Sequence, residues 1–467
     1  MPKKTLIAGA GDAGRLVLSE IRKEPQNTFL VAGFLDDDPQ KTGQTISGIK
    51  VLGKISEAEK WCRQTSAEEI ILAVPSAKGL DKRRMIQECT VLGVRLRILP
   101  GIFDILRGNV SISKLREPVP EDLIGRKTAS FNPAELKAVF EGKTVLVTGG
   151  AGSIGSELMR KLPETGCSKI VLLDIDENGL YFNWVESRDS GFPEMVLPVV
   201  CNIRERKKVF QIFSKYSPEI VFHAAASKQV PMVEQNTAEG IKNNVIGTKN
   251  VLDAAIRSKA EQFVLISTDK AVSPSSMMGS TKRVAEWVCQ QQMNRNKPRI
   301  FVARFGNVFG SKGSVIPLFL KQIKERREIT ITDKNMTRYF MSIEEAVALL
   351  LKLCSMEKSG VYFFDMGEQI KILDLGIELI KLQGLVPEKD VKITEIGLRQ
   401  GEKISEMLIT ENETKKSTAM ENIIEVIPGK KSLEEAKQET RRLLEKLKAE
   451  KDEEALQAFS SIVKPLL

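Results

Sequence analysis

Histidine is almost absent: His223 is the only one in 467 residues. That excludes a mechanism built on two imidazoles and any histidine-rich metal site. Cysteine is sparse and scattered. Cys62, Cys89, Cys167, Cys201, Cys289 and Cys354 form no CxxC pair. Such spacing excludes the usual zinc sites and offers no disulfide framework, so a reducing compartment is expected. Aromatic residues make up only 6%, which speaks against base-stacking platforms for single-stranded nucleic acid. No apolar run approaches the ~18–20 residues that span a bilayer. Residues 1–6 run straight into a strand and carry no apolar signal-peptide core. The expectation is a soluble, cytoplasmic chain with no integral membrane segment, no nucleic-acid partner and no metal.

What is present is ordinary for a globular protein: 42% hydrophobic and 28% charged residues. The length suggests two to four domains of about 100–200 residues. Lys and Arg exceed Asp and Glu by 70 to 61, a net charge of +9. The signs are mixed along the chain, which reads as a solvated surface, although a basic balance also suits a phosphorylated substrate.

The fold reads as α/β, with two doubly wound, Rossmann-like parallel sheets. Strands at 5–8, 29–35, 69–74 and 94–99 alternate with helices, and this first unit closes near residue 112. Residues 113–142, with Pro118, Pro120 and Pro133, read as a polar surface linker. A second strand–helix series starts at Lys143, with strands at 144–148, 169–173, 196–200, 220–223, 263–267 and 300–304. It extends to about 430, and a smaller substrate lobe is expected mainly over 306–340 and 368–430. The Glu/Lys/Leu-rich stretch 432–458, within a tail from 431 to 467, has the spacing of a surface helix.

Two glycine turns follow first strands. Gly9-x-Gly11-x-x-Gly14 lets a phosphate approach a helix N-terminus, but this pattern alone leaves open a sheet that binds nothing tightly. The second is Thr148-Gly149-Gly150-Ala151-Gly152-Ser153-Ile154-Gly155. Asp174 ends the next strand, where a carboxylate accepts ribose hydroxyls and repels a 2′-phosphate. No Arg or Lys follows it closely, so NAD is favoured over NADP.

Further motifs follow in register: Val221–Ala226 with Lys228, Asn244-Val245-Ile246-Gly247-Thr248, and Ser267-Thr268-Asp269-Lys270. They resemble the extended short-chain dehydrogenase/reductase superfamily. STDKAV with MMGSTKRVAE, then Arg304–Val308, Met336–Phe340 and Gly397–Lys403, more narrowly resemble the polysaccharide-biosynthesis UDP-N-acetylglucosamine 4,6-dehydratases. The resemblance covers nearly the whole chain, including Gly33–Pro39. Three departures stand out. Most members carry transmembrane helices ahead of the first glycine turn, where this chain begins. Met278 occupies the superfamily's usual Tyr position, as in the membrane-associated branch. Asn202-Ile203 stands where Asp-Val or Asp-Ile is usual at the adenine, and Gln229 stands where His is frequent.

The resemblance implies a redox-neutral reaction on a UDP-sugar: oxidation at C4, loss of water across C5–C6, and reduction at C6. It implies that Gly149, Gly152, Ser153, Ile154, Gly155, Asp174, Asn202, Ile203, Ala224, Ala225 and Lys282 bind NAD. Asp269 matches the acid toward the C6 oxygen and Lys270 the base at C5. A lysine base needs a lowered pKa, with Lys282 as the candidate neighbouring cation. Thr268 relaying to Asp269, or a water, are the candidates for the C4 proton. Arg338 and Arg399 are expected to clamp the diphosphate, because a guanidinium pairs phosphate bidentately. Lys228, Asn307 and Glu402 complete the expected substrate contacts. His223 reads as a packed strand-end residue. By the same resemblance, helices near 238–257 and 279–293 pair across a two-fold, giving a homodimer or higher homo-oligomer. A 4-epimerase and a non-catalytic NAD- or UDP-sugar-binding regulator remain the alternatives.

Overall fold

The structure, a computed structural model, describes residues 2–23, 29–77, 79–99, 115–123, 129, 132–294, 297–429, 438 and 459. The expected close of the first unit near 112 and the expected helix over 432–458 lie outside the described residues. The chain divides into two compact units. One comprises Met1–Lys127, Val315–Asn335 and Ile370–Ile396; the other comprises Thr128–Ser314, Met336–Gln369 and Gly397–Leu467.

The first unit holds a six-stranded sheet. Its strands are β1 (Lys3–Ala8), β2 (Phe29–Leu35), β3 (Thr45–Ile46), β4 (Ile49–Gly53), β5 (Glu69–Leu72) and β6 (Arg95–Ile98). Their order is β3-β4-β2-β1-β5-β6. All neighbours are parallel except β3 and β4, which form a small antiparallel pair. The helix Asp12–Lys23 buries Val17, Leu18 and Ile21 against the sheet, the i, i+1, i+4 stripe of an amphipathic helix. A parallel pair, Glu328–Ile331 with Lys392–Glu395, and the helix Ile372–Leu382 belong to the same unit. Arg83 ties that helix to the helix Gly79–Cys89 by a 2.7 Å ion pair with Glu378.

The second unit is built on a nine-stranded sheet. Six strands are β7 (Thr144–Thr148), β8 (Lys169–Asp174), β9 (Val196–Val200), β10 (Ile220–His223), β11 (Gln262–Ile266) and β12 (Arg299–Arg304). From the β9 edge the order is β9-β8-β7-β10-β11-β12, then Gly360–Phe364, Ile423–Pro428 and Glu413–Ser417. The first seven run parallel, Ile423–Pro428 pairs antiparallel with the seventh, and Glu413–Ser417 pairs antiparallel with Ile423–Pro428. Pro198 has no N–H to donate, which suits β9 to its edge position. The strand order reverses at β7. In such sheets ligands bind beyond the carboxyl ends of the strands at that switch point.

Residues 133–140 depart from the polar linker expected there. Asn132 accepts the Ala134 N–H at 3.2 Å and starts the helix Pro133–Phe140. Leu136 and Phe140, four apart on one face, are buried in the second unit's core, and Phe140 stacks on Phe222 at 6.4 Å. The prolines mark the start of an element there, not a loop.

Candidate functional site

Two glycine turns are locked by the same pair of bonds. In the second unit, Asp174 at the end of β8 accepts the Ala151 N–H at 2.9 Å on Oδ2 and the Asp176 N–H at 3.1 Å on Oδ1. In the first, Asp36 accepts the Ala10 N–H at 2.7 Å on Oδ2 and the Asp38 N–H at 2.9 Å on Oδ1. The two carboxylates differ in what remains. The Lys41 ammonium lies 3.2 and 3.3 Å from the two Asp36 oxygens, which fills that carboxylate's roughly four acceptor sites. Asp174 takes one further N–H, from Ile175 at 2.7 Å, and keeps an acceptor site on Oδ2. A cavity of about 420 Å³ opens at the first turn, between Gly9, Gly11, Asp36 and Pro75.

The second turn suits a close-lying dinucleotide. Gly149 has φ +70°, and a Cβ there would stand 2.7 Å from the Ala224 carbonyl carbon and the Ala225 nitrogen. A Cβ at Gly155 would collide with the Gly149 carbonyl oxygen. Gly152 is the N-cap of the helix Ser153–Lys161, which starts with Ser153, Ile154 and Gly155, so free N–H groups face the turn. Ser153 Oγ accepts the Lys312 N–H at 3.0 Å, and Lys312 Nζ reaches the Ala151 carbonyl at 3.0 Å. Lys312 carries no motif signal of its own and was not anticipated from the sequence. Ile203 is buried, and Asn202 Oδ1 accepts the Arg204 N–H and Nε at 3.0 and 3.2 Å.

His223, at the end of β10, is fully buried behind the turn. Thr248 donates its hydroxyl to the Asn244 carbonyl at 2.6 Å, so it accepts from His223 Nε2, 2.9 Å away. Nδ1 is then the acceptor for the Thr148 hydroxyl at 2.6 Å. Burial, with Lys282 adding a like charge, pushes the imidazole down to about 3, so it stays neutral.

Beyond β11 the chain makes a single 3-10 turn, Asp269–Ala271, capped by Thr268. The Thr268 hydroxyl donates to Asp269 Oδ1 at 2.9 Å and accepts the Lys270 N–H at 3.3 Å. Lys270 Nζ lies 3.0 Å from the same Oδ1 and 3.2 Å from Asn307 Oδ1. Asp269 is fully buried, and its Oδ2 has no hydrogen-bond partner. A Cβ at Gly306 would stand 2.9 Å from that oxygen, so the absent side chain leaves it room. Thr268, Asp269, Lys270 and Asn307 therefore form one polar cluster at the carboxyl end of the sheet.

Two expectations and one omission need correction. Lys282 does not stand as the cation beside Lys270. It lies in the helix Met277–Gln290, and its buried Nζ donates to the Ile266 carbonyl at 2.7 Å. Burial pushes Lys282 itself down to about 8. The ion-pair partners of Lys270 are carboxylates, Asp269 and, at 3.8 Å, Glu406, and the cation near it is Lys403. Arg338 is buried, and three of its five N–H donors go to carbonyls, of Thr337 at 2.7 Å, Ile404 at 3.1 Å and Lys403 at 2.8 Å. It braces the 403–404 turn in place of an open diphosphate clamp. The third correction is Glu406, which the sequence reading passed over. The segment Gly397–Lys403 that drew attention ends three residues short of it.

Arg399 is exposed, and its N–H is received by Glu402 at 3.1 Å. Lys228 is exposed on the loop after β10. Met278 is buried and has no exchangeable side-chain proton. Among the described residues no group of acidic, His or Cys side chains is arranged to hold a metal, and no helix is long and apolar enough to cross a membrane.

Residues 145–428 match the family described as polysaccharide biosynthesis protein. The chain belongs to that family. A second match, to a CoA-binding domain, covers residues 3–100. The chain is 39% identical over 412 residues to the probable polysaccharide biosynthesis protein EpsC of Bacillus subtilis, covering 88% of this chain and 69% of that one. It is 32% identical over 302 residues to the inverting UDP-N-acetylglucosamine 4,6-dehydratase of Campylobacter jejuni, covering 64% and 86%. Among solved structures, DesIV, the dTDP-glucose 4,6-dehydratase of Streptomyces venezuelae with NAD bound, shares the fold. Its TM-score is 0.50 at 20% identity, over 56% of this chain and 86–87% of that one. The second unit thus has the extended short-chain dehydrogenase/reductase fold of nucleotide-sugar dehydratases and epimerases.

Proposed function

We propose that this protein is an NAD-dependent 4,6-dehydratase acting on UDP-N-acetylglucosamine, for glycan or surface polysaccharide synthesis. The observation that carries the reading is the Thr268–Asp269–Lys270–Asn307 cluster beyond β11, in the same sheet edge as the glycine turn and Asp174. The likeness to the C. jejuni dehydratase supports the substrate. Gly149, Gly152 and Ser153–Gly155 would hold the cofactor diphosphate, Asp174 its adenine ribose, Asn202 and Ile203 its adenine, and Ala224, Ala225 and Lys282 the rest. Bound there, NAD would supply the hydride chemistry, acceptance from C4 and return at C6. The chain's own residues move protons. Thr268 already donates to Asp269 Oδ1, a path for the C4 hydroxyl proton that Met278 cannot offer. Asp269 delivers a proton to the departing C6 oxygen, and Lys270 takes the one at C5. Asn307, Lys228, Arg399 and Glu402 line the approach of the UDP-sugar, and Arg338 shapes it through the 403–404 turn.

Incubation with UDP-N-acetylglucosamine and mass analysis tests this. Loss of water is the expected result. An isomer of unchanged mass would make the protein a 4-epimerase, and no turnover would make it a binding protein. Epimerization of that kind calls for the tyrosine hydroxyl that Met278 lacks.

The free acceptor on Asp174 predicts that NAD+ binds at least about tenfold tighter than NADP+ by calorimetry, a difference of about 1.4 kcal/mol. Equal affinity would remove Asp174 as the selecting group. A cytoplasmic homodimer completes the proposal. The six free, buried cysteines support a reducing compartment. Val284, Trp287 and Val288 on the helix Met277–Gln290 are already buried within one chain, so pairing must use other residues than these. Light scattering at micromolar concentration is expected to give at least twice the chain mass, and a monomer would refute the assembly.

A further inference from the structure

Glu406 sits in the site with one oxygen idle. It is buried, its Oε1 lies 3.8 Å from Lys270 Nζ, and its Oε2 has no hydrogen-bond partner. Two buried carboxylates, Asp269 and Glu406, thus face the Lys270 ammonium, with the cations of Lys403 and Arg338 also near Glu406, and each carboxylate keeps a bare oxygen. The backbone around Glu406 is fixed from three sides. Gln369 Nε2 donates to the Glu406 carbonyl at 2.9 Å, and Arg338 holds the Lys403 and Ile404 carbonyls. Lys403 Nζ donates to the Val272 carbonyl at 3.1 Å and to that of Ser273, on the loop just after Lys270. Such bracing gives a buried carboxyl a set position relative to Lys270.

Taking the Glu406 carboxylate out of water disfavours its charged form, which favours its taking a proton. Burial pushes Glu406 up, with Asp269 pushing the same way, against the pull of Lys270, Arg338 and Lys403. A lysine that must act as a base needs somewhere to leave its proton, and Lys282 does not adjoin it.

We propose that Glu406 is a positioning residue for Lys270 and the acceptor of the proton that Lys270 sheds before it acts. The step is balanced. Once the 3.8 Å separation closes to hydrogen-bond distance, an N–H bond of the Lys270 ammonium breaks and an O–H bond forms on Glu406, turning a charged pair into a neutral one; the reverse transfer resets it. The inference rests on Lys270 being the C5 base of the proposed reaction, so its test has one arm that needs no substrate.

In that arm, the pH dependence of Lys270 acetylation by acetic anhydride is followed by peptide mass spectrometry in wild type, Glu406→Gln and Glu406→Asp. The Lys270 side chain is 21% exposed and so open to the reagent. Loss of the carboxylate should lower the Lys270 midpoint by about one pH unit, and Glu406→Asp should return it toward wild type. An unchanged midpoint in Glu406→Gln overturns the proposal. In the second arm, C5 deuterium uptake from heavy water is measured with UDP-N-acetylglucosamine. Glu406→Gln should lose about a hundredfold in kcat at pH 7 with KM within about twofold. Its rate should climb with pH where the wild type is flat, because Lys270 must then lose its proton to solvent. A loss that is equal at every pH, or confined to KM, overturns the proposal. Wild-type protein that takes up no deuterium refutes the dehydratase reading, while the acetylation arm still decides the pairing.

Discussion

Lys270→Met should abolish C5 deuterium uptake and dehydration, a loss of at least about 10²–10⁴-fold, while oxidation at C4 persists as transient NADH absorbance. The reason is geometric. Lys270 Nζ bonds to both Asp269 and Asn307, so its loss removes the proposed C5 base without touching the glycine turn. Methionine matches the length of the stem and removes only the charge and the donors. Asp269→Asn should keep cofactor affinity and lose elimination. If Asp269 also receives the C4 proton through Thr268, its variant loses the NADH transient too, which Lys270→Met does not. Wild-type turnover by Lys270→Met would force the base to be sought elsewhere in the cluster, with Glu406 next in reach.

The second large effect is on stability. Behind the cluster, Arg304 is fully buried and gives Nε and Nη2 to Glu286 at 2.9 and 2.7 Å, and Nη1 and Nη2 to Glu413 at 2.9 Å each. Arg283 bridges the same two carboxylates at 3.0 and 3.1 Å, and Ser267 donates to Glu286 at 2.6 Å. Arg304→Met leaves two buried carboxylates with one partly exposed cation, and should cost about 3–5 kcal/mol in denaturant melts at pH 7. The pH dependence supplies a check. In the wild type the guanidinium of Arg304 holds Glu413 down at about 2, against the burial that would raise it, and Glu286 is held low in the same way. Carboxylates depressed on folding stabilise the fold above the unfolded value near 4.3, and that contribution is lost as pH falls toward 2. In Arg304→Met the carboxylates are no longer held low, so protonation relieves them and the gap to wild type should narrow in acid. A gap that is the same at pH 7 and pH 4 would mean that lost packing, not unpaired charge, is the cause. Glu286→Gln with Glu413→Gln in the Arg304→Met background should recover part of the loss.

Four of the six strands of the first sheet and six of the nine of the second were legible because each is a short apolar run bounded by Gly, Pro or Asp, and the alternation with helices dictates parallel pairing; the short β3 and β4 and the strand Gly360–Phe364 were not. The glycine turns were legible because their chemistry is local: Gly149 and Asp174 announce themselves by residue type and spacing. What the sequence hid is what comes from far away in the chain. Arg338 looks like any motif arginine, and only the carbonyls of 403 and 404 reveal it as a brace. Glu406 looks like a surface glutamate in a polar stretch, and only the fold buries it beside Lys270. Leu136 and Phe140 were overlooked because three prolines drew the eye to a loop, although their four-residue spacing marks a helix face. The antiparallel extension of the second sheet, Ile423–Pro428 with Glu413–Ser417, follows a long irregular stretch and has no crossover helix to announce it.

The chain of hydrogen bonds from Thr148 through His223 to Thr248 has a use outside catalysis. Because the sequence holds a single histidine, a proton or nitrogen spectrum of the imidazole region contains one ring and needs no assignment. That ring has its Nε2 proton trapped between buried hydroxyls and a pKa too low to protonate at working pH, so its resonance stays sharp and fixed across a titration. It is pinned at one end to the first residue of the glycine turn and at the other to the helix Thr248–Arg257. The molecule therefore carries a native spectroscopic label at its second glycine turn, which reports changes there without an added probe.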